Sequence, residues 1–188
     1  MNFSPGANIT IPNGMYGNLN LVSANQYAIG ASNTTIQGNL NVSNGVTTTG
    51  AATNLSRLVV AGNVTFSNSS NPLPPTGANQ YAIVFTGGKT HTMSFNTPVD
   101  PNFFSIQTDV GDVVNFVNSG VHTYTVGSNQ GGGIVNKGVI NIGSNNLVVN
   151  GRGSVNANNE TGSFSVNGGS ITINSTATLN SNLNFDAD

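Results

Sequence analysis

The two histidines are the natural place to look for chemistry. His91 lies in Lys89-Thr90-His91-Thr92 and His122 in Val121-His122-Thr123-Tyr124. Imidazole is a common general base and a common metal ligand. Neither histidine has a carboxylate or a second ligand beside it at metal-ligand spacing, so both read as surface turn residues. Asp100, Asp109 and Asp112 could supply carboxylate oxygens to Ca²⁺, but their spacing fits no calcium loop. Gly87-Gly88-Lys89-Thr90 has the tail of a phosphate-binding loop, yet the Gly required five positions before Gly88 is replaced by Ile83. Gly151-Arg152-Gly153 lacks the later Gly of a dinucleotide fingerprint, because position 156 is Asn. No Gly-x-Ser-x-Gly elbow is present. The sequence therefore assigns no catalytic, cofactor-binding or metal residue, and it reads as a non-enzyme with no cofactor.

The background against which these residues sit is unusual. Charged residues make up 5% of the 188, against about 25% in typical soluble domains. Asn is present 33 times and Gly 24 times. A net charge of −2 offers no electrostatic attraction for nucleic acid or an anionic membrane. The four basic residues, Arg57, Lys89, Lys137 and Arg152, form no run. Cys is absent, which suits a bacterial surface protein or viral fibre held by backbone ladders. No stretch approaches the roughly 18 apolar residues of a membrane span. The first residues, Met1 to Gly6, show no signal-peptide pattern. Asn-x-Ser/Thr sequons, as at Asn8, Asn33 and Asn63, are expected by chance in such a composition.

The elements that would position any site are short apolar-polar-apolar triplets. Gly17-Asn18-Leu19-Asn20-Leu21 returns as Gly38-Asn39-Leu40-Asn41-Val42 and as Gly62-Asn63-Val64-Thr65-Phe66. In each, the outer apolar residues face one side of a strand and the middle residue the other. Gly and Asn before each triplet suggest corners with a left-handed backbone. From Gly138 onward the chain overlays on itself with a shift of 24. Ile140 falls on Phe164, Ile142 on Val166, Leu147 on Ile171, Val149 on Ile173 and Val155 on Leu179. A strand-built repeat of 20 to 50 residues signals a solenoid. The expected fold is all-β, a right-handed parallel β-helix with rungs of about 21–24 residues, over residues 1–188 as one segment.

Two interruptions stand out. The proline-rich stretch from Asn71 to Gly77 cannot be a central strand and reads as a loop excursion. The hexapeptide Ala24-Asn25-Gln26-Tyr27-Ala28-Ile29 recurs unchanged at 78–83 and reads as a duplicated corner with Tyr and Ile buried. Residues 84–133 are less regular, with triplets at Met93, Phe104, Val114 and Tyr124. They fit longer sides of the coil better than antiparallel hairpins standing off it. Gly131-Gly132-Gly133 reads as a flexible corner. If a specific site exists, it belongs between Asn71 and Gly133, where the repeat fails.

The Gly-Asn-Leu-Asn-Val, Gly-Val-Ile-Asn-Ile and Gly-Ser-Ile-Thr-Ile units, with no Cys and an Asn/Gly/Thr background, resemble passenger segments of bacterial autotransporters. They are most similar to the rickettsial surface cell antigens, including outer membrane protein B. The resemblance implies an exported, non-catalytic β-helical passenger on the outer surface, engaged in adhesion to host cells or in surface-layer coating. It implies a host-cell surface protein, or like subunits, as partner. Family members also carry a signal peptide and a C-terminal membrane barrel, which this chain lacks, so a fragment is expected. A self-assembling fibre and a tailspike-like or polysaccharide-active β-helix are the alternatives.

Overall fold

A computed structural model describes residues 1–3, 9–22, 26–29, 33–43, 47–49, 56–67, 81–96, 100, 102–103, 105–118, 120–126, 133–149, 163–167, 170–173 and 182–186. Within these the chain is a β-helix: 22 strands, no helix, and parallel pairing throughout. The proline-rich stretch at 71–77, the Gly151–Gly153 motif and the pairing of Val155 with Leu179 lie outside the described residues.

The strands of successive turns fall on three sides, and among the described residues some turns contribute a strand to only two of them. The first side is a nine-stranded sheet, running from Asn2–Phe3 through Leu19–Leu21, Leu40–Ser43, Val64–Ser67, Thr90–Asn96, Val113–Asn118, Val139–Gly143 and Ser163–Asn167 to Asn182–Asp186. The second is a six-stranded sheet: Met15–Tyr16, Asn33–Ile36, Ser56–Val60, Tyr81–Phe85, Ser105–Thr108 and Gly133–Asn136. The third is built in two parts. Ile9–Ile11, Gln26–Ile29 and Thr47–Thr49 form one sheet; Asn102–Phe103, Thr123–Val126, Asn146–Val149 and Ser170–Ile173 form another.

The sequence pattern explains the strands. In Ser56–Val60 and in Leu40–Ser43, buried and half-buried positions alternate, as a pleated strand requires when one face meets a core. Inward residues stack on like residues one turn away. Leu19 pairs with Leu40, Leu40 with Val64, and Val64 with Met93, all fully buried. The two registers read from the triplets, Leu19 on Leu40 and Leu40 on Val64, are thus observed. So are Ile140 on Phe164, Leu147 on Ile171 and Val149 on Ile173. Ile142 departs: a register shift between Asn141 and Gly143 sets Gly143, not Ile142, beside Val166.

Four expectations need correction. Rungs vary more than 21–24 residues, from 18 between Asn2 and Asn20 to 29 between Val64 and Met93. The corner glycines Gly38 and Gly62 are not left-handed; positive φ occurs at Gly87, Gly88, Gly111 and Gly143. What Gly38 and Gly62 supply is room. A Cβ on Gly62 would run into the Gly38 carbonyl and Asn39 Oδ1 of the preceding turn, and one on Gly38 into Asn18 Oδ1. The repeated hexapeptide is not a duplicated corner either. Tyr27 stands in the third side, paired with Ile9, whereas Tyr81 stands in the six-stranded sheet, paired with Ser56. The same residues fit two sides because alternation, not identity of side, is what each strand demands. Gly133, expected in a flexible corner, opens a strand and pairs with Ser105.

The less regular 84–126 region is coil. Thr90–Asn96 pairs with Val113–Asn118 in parallel, as do Ser105–Thr108 with Gly133–Asn136 and Thr123–Val126 with Asn146–Val149. Its sides are longer, with seven residues in Thr90–Asn96 against four in Val64–Ser67. The coil broadens at this point.

Candidate functional site

Asparagines build the corner that leads into the long sheet. Asn18 Oδ1 accepts from the Asn39 backbone N–H, Asn39 Oδ1 from that of Asn63, and Asn63 Oδ1 from that of Thr92, each at 2.8 Å. The chain bends here, so these amides would otherwise lack a ladder partner. Outward asparagines form a second ladder on the sheet face: Asn41 Nδ2 donates to Asn20 Oδ1 (2.7 Å), and Asn141 Nδ2 to Asn115 Oδ1 (2.6 Å). Among the described residues these two ladders engage Asn18, Asn20, Asn39, Asn41, Asn63, Asn115 and Asn141.

Where the coil broadens, the corner changes chemistry. The longer strand places His91 just ahead of Thr92, inside the coil and fully buried. Its Nδ1 lies 2.7 Å from the Gly62 carbonyl of the preceding turn, and its Nε2 3.1 Å from Asp112 Oδ1 of the following one. The Phe85 ring packs on it at 5.1 Å between centroids. Asp112 is itself fully buried. Its Oδ1 accepts from the backbone N–H groups of Gly88 (2.7 Å) and Lys89 (3.2 Å), and its Oδ2 from that of Asp109 (3.1 Å). The Gly87-Gly88-Lys89 corner thus does what a phosphate loop does, turning successive amides toward an anion. The anion here is the chain's own carboxylate. Positive φ at Gly87, Gly88 and Gly111 permits that turn. Asp109 Oδ2 accepts from the Thr86 hydroxyl at 3.2 Å.

A second polar corner joins the long sheet to the third side. His122 is 8% exposed, and its Nδ1 lies 3.3 Å from Asp100 Oδ1, which also accepts from the Thr123 N–H at 3.0 Å. Asn145 Oδ1 accepts from the His122 N–H (3.0 Å) and from Asn118 Nδ2 (2.9 Å). Asn118 Oδ1 accepts from the Phe95 N–H and from the Tyr124 hydroxyl (2.7 Å). Burial pushes the Tyr124 phenol well above its ordinary value, and the negative charge of Asp100 adds to the effect. The Tyr124 ring packs on Phe116 at 4.4 Å and on the edge of Phe95 at 6.4 Å.

Both histidines were expected in surface turns without a carboxylate; each is buried and each faces one. The partners come from a neighbouring turn, 21 residues from His91 and 22 from His122, so local spacing could not reveal them. A search at one rung's distance, 21 to 24 residues, would have found both. The three aspartates, whose spacing fits no calcium loop, are divided: Asp109 and Asp112 share one corner and Asp100 serves the other. Among the described residues, no three His, Asp or Glu side chains gather at metal-binding range. No helix among them is long and apolar enough to cross a membrane.

Comparison with protein-family models found no match, and comparisons with curated proteins and with solved structures found none either.

Proposed function

We propose that the chain is a β-helical module of a bacterial cell surface, a non-catalytic passenger of the autotransporter kind that works by presenting a stiff polar face to a host-cell partner. One observation carries the reading. The outward column Asn20, Asn41, Thr65 and Ser94 stands in register on successive turns, while His91, Asp112 and His122 are turned inward to join turns. Turns about 4.8 Å apart space these amides and hydroxyls evenly. Contact is then spread over a face rather than concentrated in a cleft.

The test is adhesion of beads coated with the 188-residue chain to host cells. Saturable binding is expected, reduced by Thr65→Lys, with the circular dichroism spectrum and melting temperature retained. Binding no greater than that of a folded control protein would overturn the reading. Concentration-dependent filaments in sedimentation, without cell binding, would instead favour a self-assembling fibre.

A further inference from the structure

We propose that His91 and Asp112 fasten three successive turns together, with the His91 ring donating from both of its nitrogens. The argument is one of donors and acceptors. A backbone carbonyl cannot donate, so Nδ1 at 2.7 Å from the Gly62 oxygen must carry a proton. The proton between Nε2 and Asp112 Oδ1 then belongs either to the ring or to the carboxylate. Asp112 already accepts three backbone N–H groups, two on Oδ1 and one on Oδ2. Such donors favour the ionised carboxylate. The proton therefore sits on the ring, and the pair is imidazolium and carboxylate, both fully buried.

The charged groups around the pair are few. From its own corner comes Lys89, whose exposed side chain leaves only its N–H to Asp112. From the next corner comes Asp109, bonded to the Thr86 hydroxyl. Lys137, one turn further, is exposed. The six-stranded sheet offers Phe85 to the ring, and Arg57 there is at an outward position of its strand. The preceding turn contributes the neutral Ala61, Gly62 and Asn63. Among the described residues, Asp112 is thus the one charge in hydrogen-bond contact with the ring.

Losing one proton sets a lone pair against either the Gly62 carbonyl or the Asp112 carboxylate. The fastening then works against itself, at the point where narrow turns meet broad ones.

The decisive measurement is a long-range proton–nitrogen correlation spectrum of the full chain near neutral pH. Two protonated ring nitrogens are expected for His91; a single protonated nitrogen would overturn the proposal. Amide exchange at Gly88, Lys89 and Asp109, whose N–H groups Asp112 accepts, provides a second readout. It should rise in His91→Gln and stay unchanged in His122→Gln; unchanged exchange at these three amides in a folded His91→Gln chain would count against the fastening.

Discussion

Tyr124 shows what a single buried side chain contributes. Its ring lies between Phe116 and Phe95, and its hydroxyl donates to Asn118 Oδ1. Burial raises the phenol above its ordinary value of 10.0. A folded chain that holds a proton which the unfolded chain releases near pH 10 loses stability as pH climbs past that point. Tyr124→Phe removes both the hydrogen bond and this linkage. We expect it to cost about 1 kcal/mol near neutral pH and to flatten the alkaline fall, so that the two proteins converge above pH 10. Urea unfolding at a series of pH values measures both. A variant whose deficit grows at high pH would contradict this account. At the same scale, the inward role of the histidines was not legible in any local window of the sequence. Local windows show neighbours along the chain, and these partners are neighbours across it.

At the scale of the element, the corner is the unit that decides the fold. Gly17, Gly38 and Gly62 look equivalent in sequence, each preceding Asn and an apolar triplet. Their surroundings differ. A Cβ on Gly17 meets nothing within 4 Å, while one on Gly62 meets the Gly38 carbonyl and Asn39 Oδ1 inside contact distance. Gly62→Ala should therefore destabilise by about 1–3 kcal/mol, the usual cost of overpacking a rigid site. Gly17→Ala should stay within about 0.5 kcal/mol. Chemical denaturation of the two variants separates the explanations: if both are mild, crowding between turns is not why these glycines are present. The sequence marked these residues as special but suggested backbone handedness. Only the stacking of turns shows that clearance is the constraint.

For the whole molecule, contacts run chiefly between adjacent turns, as in Leu40 with Leu19 and Val64. Stability in such a stack is nearly a sum of local terms and nearest-neighbour interfaces. Leu40→Ala, at a fully buried position, should cost about 2–5 kcal/mol, and the loss should be felt locally. Hydrogen exchange should show lost protection first in Leu19–Leu21, Leu40–Ser43 and Val64–Ser67, with Val113–Asn118 and Thr123–Val126 retained. Uniform loss across all strands would indicate a single cooperative unit instead.

By itself the sequence determined that the chain is a parallel β-helix, that the outer apolar residues of its triplets face inward, and how the most regular triplets stack. The physical reason is that a strand's alternation and a solenoid's repeat are both written along the chain, so the registers of Leu19, Leu40, Val64, Ile140 and Leu147 follow from comparing it with itself. Only the tertiary structure decided what the exceptions do. Where the coil broadens between Val64 and Met93, the corner can no longer rest on asparagine alone. His91 fills the added length and meets Asp112 from the next turn. Position on a neighbouring turn depends on the length of every residue between, and that length varies from 18 to 29 residues here. The triplets are legible because they repeat; the buried polar corners are not, because each answers a change in the size of the turn beneath it.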